Sequence, residues 1–414
     1  MKRKNFFFGL VIAMAAISVT FIGCKDDPED PILDALVAGT IDLNAATSAT
    51  GVPVNPTIVA TFNVGIDPAS ATSANITLTQ NYDDTNIPLT ITLSGKNITI
   101  VPADDLGTGT LYELKFKSGL KSVDGLILSE VTRTFTTIGA FAPSGAIAHW
   151  NFENNANDMA GSFNPLASGI VDITYVDSRN AAAGKAASFN GTTSIIEIPN
   201  GDQLINANNF TISFWVKAVP QDKGHFVMGL GAFWGLQLEI FGGLDGAKFA
   251  VRYELADGTT IGEDMWFPSE ATYADNGGWQ GWDFAKSITP ANYVAMVSNT
   301  WLHVTFTYNA ATKAAILYYN GEKMKSFNFN LWPAGDPQHT VVGLKYAGTM
   351  PDVNNDLAFG FIQSRAGSMW ANEPWGGYDF PGANHFKGLL DDIRIYHKTL
   401  SPVEIQLMYD SEKP

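Results

Sequence analysis

The sequence holds a single cysteine, Cys24, among 414 residues. A disulfide framework within the chain and a thiolate-based zinc site are thereby excluded. Positive charge is also scarce, with 25 Lys and Arg against 41 Asp and Glu and a formal charge of −16. A nucleic-acid partner needs a basic footprint for its phosphates, so that class is excluded too. Charged residues make up only 16% of the chain, against roughly 25% in an average soluble protein. Hydrophobic residues make up 45%, which is enough for a sizeable core and too much for disorder. Helical periodicity is missing until the last residues. None of the six histidines (His149, His225, His303, His339, His385, His397) sits in a His-Glu-x-x-His string, and no phosphate-cradling Gly-x-x-x-x-Gly-Lys loop occurs. What the chain does have is 39 Gly and 12% aromatics, including 10 Trp. Its length fits two or three domains.

The N-terminus runs from basic Met1–Lys4 through an apolar stretch, Phe6–Ile22, to Gly23-Cys24. This is a secretory signal pattern, and the apolar stretch falls short of the roughly 18–20 residues of a membrane span. Gly23-Cys24 resembles a bacterial lipobox, with Phe21 where Leu is usual. The resemblance implies removal of residues 1–23, lipidation at Cys24, and anchoring in the outer membrane at the cell surface by acyl chains. The acidic run Asp26–Asp30 follows within a tether, residues 24–34, and resembles the surface-export signal of Bacteroidetes lipoproteins.

Residues 35–138 alternate in short strands rich in Thr and β-branched residues. Thr57–Asn63, Asn75–Thr79, Leu89–Leu93, Asn97–Val101, Leu111–Phe116 and Val131–Thr136 are the clearest. About seven strands in such a length predict an Ig-like sandwich. Gly51–Asn55, Phe62-Asn63, Ile66–Pro68, Ile100–Pro102, Asp124-Gly125 and Phe135–Thr137 resemble the bacterial Ig-like domain of the S-layer-protein type. The resemblance implies a spacer. A small-residue linker, residues 139–145, predicts two independent domains.

Residues 146–411 read as strands again, with Ile147–Glu153, Phe210–Val216, Trp301–Tyr308, Ala315–Tyr319 and Gly388–Tyr396 as landmarks. Asn320-Gly321 is a hairpin signal. Ser401–Glu404 is a capping box with Pro at the first helical position, predicting a short C-terminal helix. Phe189–Gly191, Phe210–Val216, Trp301–Val304, Tyr318–Gly321 and Leu390–Tyr396 resemble the LamG-like jelly roll of the concanavalin A-like lectin and glucanase superfamily. The expected fold class is therefore all-β, an Ig-like sandwich plus a large jelly roll. Residues 225–297 and 327–386 read as two long insertions.

Tryptophan is unevenly spread. Trp150, Trp215 and Trp301 lie in strand patterns and are expected in the core, while Trp234 fits either role. Trp266, Trp279, Trp282, Trp332, Trp370 and Trp375 fall in the insertions, beside Gln280, Asp283, Asn372, Glu373, Tyr378 and Asp379. An aromatic ring under the apolar face of a sugar, with polar groups at its rim, is a saccharide-binding arrangement. Loop anchoring is the competing role for these indoles. A glycosidase needs paired carboxylates, and the Glu-x-Asp-x-(x)-Glu string of the superfamily's glucanases is missing. Glu239 stands alone, while Glu263-Asp264 and Asp391-Asp392 are adjacent and fall on opposite faces if extended. No cofactor is required. A structural calcium is the remaining candidate, since Asp391 shares strand parity with Ile393 and Ile395 and a buried carboxylate needs a partner, whether a metal, backbone N–H groups or neighbours of Arg394. The function expected is capture of a polysaccharide or glycoprotein glycan at the cell surface, alongside protein partners of an outer-membrane glycan-uptake complex. The alternatives are an adhesin recognising protein and, third, a glycoside hydrolase.

Overall fold

A computed structural model describes residues 27–269, 273–274 and 281–414. Cys24 lies outside them, as do Trp279 and Gln280. Among the described residues no helix is long and apolar enough to cross a membrane.

The first domain is a sandwich of two five-stranded sheets. One runs Ile41–Asp42, Leu33–Ala38, Ile58–Phe62, Asn97–Pro102, Leu89–Ser94, and the other Ala49–Val52, Val131–Thr137, Leu111–Phe116, Ile76–Gln80, Asn86–Ile87. Alternation does the sorting. Ile58, Ala60 and Phe62 point inward while Val59 and Thr61 are half-exposed. Together with Ile76, Leu78, Ile98, Ile100, Tyr112, Leu114, Phe116 and Phe135 they fill the core.

Among the described residues the second domain is two packed sheets of ten and eight strands. In the larger, Lys387–Tyr396 is central, pairing with Asn209–Ala218 on one edge and with Lys185–Asn190 and Ala146–Trp150 on the other. Leu302–Asn309, Ala314–Tyr319 and Glu322–Asn328 continue beyond Asn209–Ala218. The smaller sheet is ordered Ile170–Val171, Ile195–Ile198, Leu357–Phe359, His225–Leu230, Leu236–Ile240, Ala247–Leu255, Thr260–Phe267. Phe249 and Phe306 stack between the sheets, centroids 4.8 Å apart. Residues 225–267 are thus four strands of the smaller sheet, which corrects their reading as an insertion. Asn320 and Gly321 both take positive φ, 51° and 81°, as a two-residue hairpin turn requires.

The helix Pro402–Glu412 closes the outer face of the larger sheet, started by the expected capping box of Ser401 and Glu404. Trp215, fully buried, lies under it against Tyr409 and His303, and its indole N–H donates to Glu412 at 2.8 Å. The same helix faces the first domain. Phe141, in the connector, is buried among Tyr318, Tyr396, Leu400, Ile405 and Met408. Tyr82 meets Phe141 edge-on and donates to Glu404 at 3.3 Å. The Thr108 hydroxyl donates to the Ala140 carbonyl at 2.6 Å, and the Phe141 N–H to Ser411 at 3.0 Å. The small-residue linker is pinned on both sides by its single large side chain.

Candidate functional site

The outer face of the smaller sheet carries the site. One half is covered by the segment 360–386, whose Phe361, Ile362 and Ala383 pack on Ile195, Phe226 and Ala358. The approach is so close that a Cβ on Gly229 would lie 2.1 Å from the Ile362 carbonyl oxygen, so only glycine fits. The segment is held by its own turns. Gln363 donates to the Met369 carbonyl at 2.7 Å, Glu373 N–H to Trp370 at 2.9 Å, and Asn384 N–H to Trp375 at 2.9 Å. The Tyr378 hydroxyl donates to the Thr193 carbonyl, and His385 contacts the Tyr378 carbonyl at 2.7 Å. A loop tied this way presents its side chains preformed.

Four rings line up there. Trp234 lies 5.3 Å from Phe233, Phe233 lies 5.9 Å from Trp370, and Trp370 lies 5.1 Å from Trp375. Trp375 is 42% exposed, and the other three are half-buried. Arg252 spreads its guanidinium 4.5 Å from the Trp234 ring centre, and Asn372, Glu373 and Asp379 stand exposed on the segment. The strip therefore joins apolar ring surface to hydrogen-bonding groups at its edge. A separate cleft of about 370 Å³, lined by Leu166, Pro199, Asp356 and the Glu197–Arg365 ion pair, includes none of these rings.

The expected site residues divide. Trp370, Trp375, Asn372 and Glu373 come together, with Tyr378 as a tether of the same segment. Trp266 stands on a strand rather than a loop, 46% exposed, with Phe241 5.3 Å away. Trp332 is corrected to core: it is 8% exposed and stacks on Phe329 at 5.0 Å. Trp282 packs against that core, 5.7 Å from Trp332. Asp283 is paired with Lys325 at 2.7 Å, a lysine almost wholly buried, so both charges are committed to each other. Trp150 and Trp215 are buried as expected, whereas Trp301 is half-buried.

Asp391 is corrected as well. A bulge at Asp391-Asp392, with Asp392 at φ 45°, breaks the alternation that aligned Asp391 with Ile393 and Ile395. Both carboxylates then grip Arg179, with Nη1 2.6 Å from Asp391, while Ser178 and the Asp392 N–H also donate to Asp391. Arg394 completes the cluster at 2.8 Å from Glu412. The two carboxyl groups have a guanidinium partner, and among the described residues no group of metal-ligating side chains gathers.

Phe233 and Arg252 are the residues that sequence reasoning left out, and Trp234 is one it placed in neither role. Their only local signal is Phe-Trp set between Gly231 and Gly235, a turn that puts bulky rings at a strand end.

Comparison with known proteins follows this geometry. The bacterial Ig-like domain matches residues 40–137, and the concanavalin A-like lectin/glucanases superfamily matches residues 190–354. No curated protein matches the chain. Among solved structures, the binding domain of Paraclostridial Mosquitocidal Protein 1 is similar at 19% identity and TM-score 0.41, over 64% of this chain and 52% of that one. The botulinum neurotoxin serotype D ligand-binding domain, solved in complex with N-acetylneuraminic acid, is similar at 16% identity and TM-score 0.39, over 65% and 51%. The present chain thus spans about half the length of each. On sequence and fold together, this chain carries a bacterial Ig-like domain followed by a jelly roll of the concanavalin A-like lectin/glucanase superfamily.

Proposed function

We propose that this chain is a cell-surface glycan-binding protein, lipidated at Cys24, with its Ig-like domain as the stalk and its jelly roll as the binding domain. The observation that carries the binding half is the strip Trp234–Phe233–Trp370–Trp375, four rings in series, two of them on a loop fixed by its own hydrogen bonds. Sugars present apolar C–H faces to such rings and hydroxyls to Asn372, Glu373 and Asp379. The acidic balance of the chain, formal charge −16, favours neutral glycans over strongly anionic ones.

The test is affinity electrophoresis of the soluble chain from residue 27 through gels containing plant, yeast and mucin polysaccharides, read beside a glycan array. Retardation by at least one polysaccharide, lost in Trp375→Ala, is the expected result. Failure to bind any, together with specific capture of a protein ligand, replaces this reading with protein recognition. The anchoring half is tested separately. Cys24→Ala is expected to move the protein from the membrane fraction to the soluble fraction, and its retention in membranes overturns lipidation.

A further inference from the structure

A second aromatic group lies on the same sheet face, outside the strip. Glu239, Lys248 and Trp266 are aligned across three adjacent strands by the register, and Asp264 precedes Trp266 by two residues on the same face. Residues of the opposite parity, Leu238, Phe249 and Met265, are in the core, so this row points away from it. Lys248 Nζ lies 3.6 Å from Glu239, 3.8 Å from Asp264 and 5.4 Å from the Trp266 ring centre. An ammonium donor between two carboxylate acceptors matches the hydroxyls of a sugar ring, each of which both donates and accepts. The indole beside them, 46% exposed, supplies the apolar platform.

The patch and the strip share one strand. Lys248 sits opposite Trp266, and Arg252, four residues on and on the same face, lies over Trp234. Four residues along a strand and one strand across separate the Trp266 and Arg252 Cα positions by about 14 Å. Ala250, a small side chain beneath its longer neighbours, lies between Lys248 and Arg252 on this face. That distance exceeds one sugar ring and suits a short chain of them.

We propose that the patch of Trp266, Lys248, Glu239 and Asp264 is a second saccharide subsite, in line with the ring strip, and that the ligand is an internal stretch of an extended oligosaccharide running along the strand Ala247–Leu255. This rests on the glycan-binding reading above. Two subsites engaged by one chain raise affinity on the order of 10²-fold over either alone.

The experiment uses the polysaccharide that retards the parent protein, partially hydrolysed and separated into long and short oligosaccharide fractions, with calorimetric titration of the parent, Trp266→Ala, Trp266→Phe and Asp264→Asn. The parent is expected to bind the long fraction on the order of 10²-fold more tightly than the short one. Trp266→Ala is expected to erase that difference while leaving short-fraction affinity and melting temperature close to the parent's, with Trp266→Phe restoring most of it. Asp264→Asn, which keeps the indole, is expected to weaken only the long fraction. If Trp266→Ala and Asp264→Asn both bind long chains as tightly as the parent while Trp375→Ala does not, the second subsite is overturned and the strip stands. If Trp375→Ala binds every fraction like the parent, the strip itself fails.

Discussion

Trp375 and Trp332 are the same side chain in opposite surroundings, one 42% and the other 8% exposed. Truncating them separates binding from folding. Trp375→Ala is expected to weaken glycan binding by roughly 30-fold, the equivalent of about 2 kcal/mol, with little change in melting temperature. Trp332→Ala removes a ring stacked on Phe329 and leaves a cavity, so about 3–5 kcal/mol of stability should be lost. Urea unfolding and glycan titration of both variants check this, and equal stability losses would make Trp375 a loop anchor. Both indoles looked alike in the sequence, each in a Gly- or Pro-rich stretch without periodicity. What separates them is tertiary: Trp332 meets Phe327 and Phe329, whereas Trp375 meets Trp370 and the edge-on ring of Phe226. The strip was half legible for the same reason, because Phe233-Trp234 and Trp370–Trp375 are far apart in the chain and only the fold joins them.

Among the elements, the helix Pro402–Glu412 matters most. Its Glu412 carboxylate, 3% exposed, takes the Trp215 indole N–H and an ion pair from Arg394. Removing one partner of a buried ion pair leaves the other charge uncompensated, so Glu412→Ala is expected to cost about 3–5 kcal/mol. Ser401→Ala, which removes the cap alone, should cost about 1 kcal/mol. Denaturant midpoints measure both, and a cost for Glu412→Ala no larger than that of the cap contradicts the assignment. This helix was legible because capping chemistry is local. So was the Asn320-Gly321 hairpin. The strands between 225 and 267 were not, since His225–Leu230 is buried on both faces and shows no alternation, and their partners lie elsewhere in the sheet. The bulge at Asp391-Asp392 was invisible too. One inserted residue reverses the parity from which a metal ligand was inferred, and the true partner, Arg179, lies 212 residues away.

At the scale of the molecule, buried titratable groups set the pH range of stability. Burial pushes His225 and His385 down to about 4 and His303 down to about 3, with nearby Lys or Arg charges adding to it. The unfolded chain therefore binds more protons than the folded one between about pH 6.5 and pH 4, and stability falls as pH drops through that window. Asp391 acts in reverse. Burial, then the neighbouring Asp392 carboxylate, raise it to about 8 against the pull of Arg179. The proton held in the folded state stabilises it at low pH, and that contribution is lost as pH rises through about 8. Burial lowers His149 as well, and raises Glu239, Glu263 and Asp264 against it. The large shifts of the three histidines dominate below about pH 6.5, so urea midpoints should fall as pH drops from there toward about 4. Tryptophan fluorescence reads this for the jelly roll alone, because all 10 Trp lie beyond residue 146. A midpoint unchanged from about pH 6.5 down to pH 4.5 contradicts the histidine assignment. The junction makes its own prediction. With Phe141 buried, limited proteolysis should spare residues 139–145 in the parent and cut them in Phe141→Ala. Cleavage of the parent there would instead support the independent-domain expectation.

The central position of Lys387–Tyr396 governs the order in which the jelly roll can be assembled. This strand lies far behind Ala146–Trp150, Lys185–Asn190 and Asn209–Ala218 in the chain, yet it is a pairing partner of all three. Pairings of such sequence separation are slow to form, and at about 5–20 residues per second of synthesis the three earlier strands wait many seconds for this partner. The larger sheet is consequently completed only once Lys387–Tyr396 has been made. A chain cut short before that strand keeps its earlier strands yet never acquires a finished sheet.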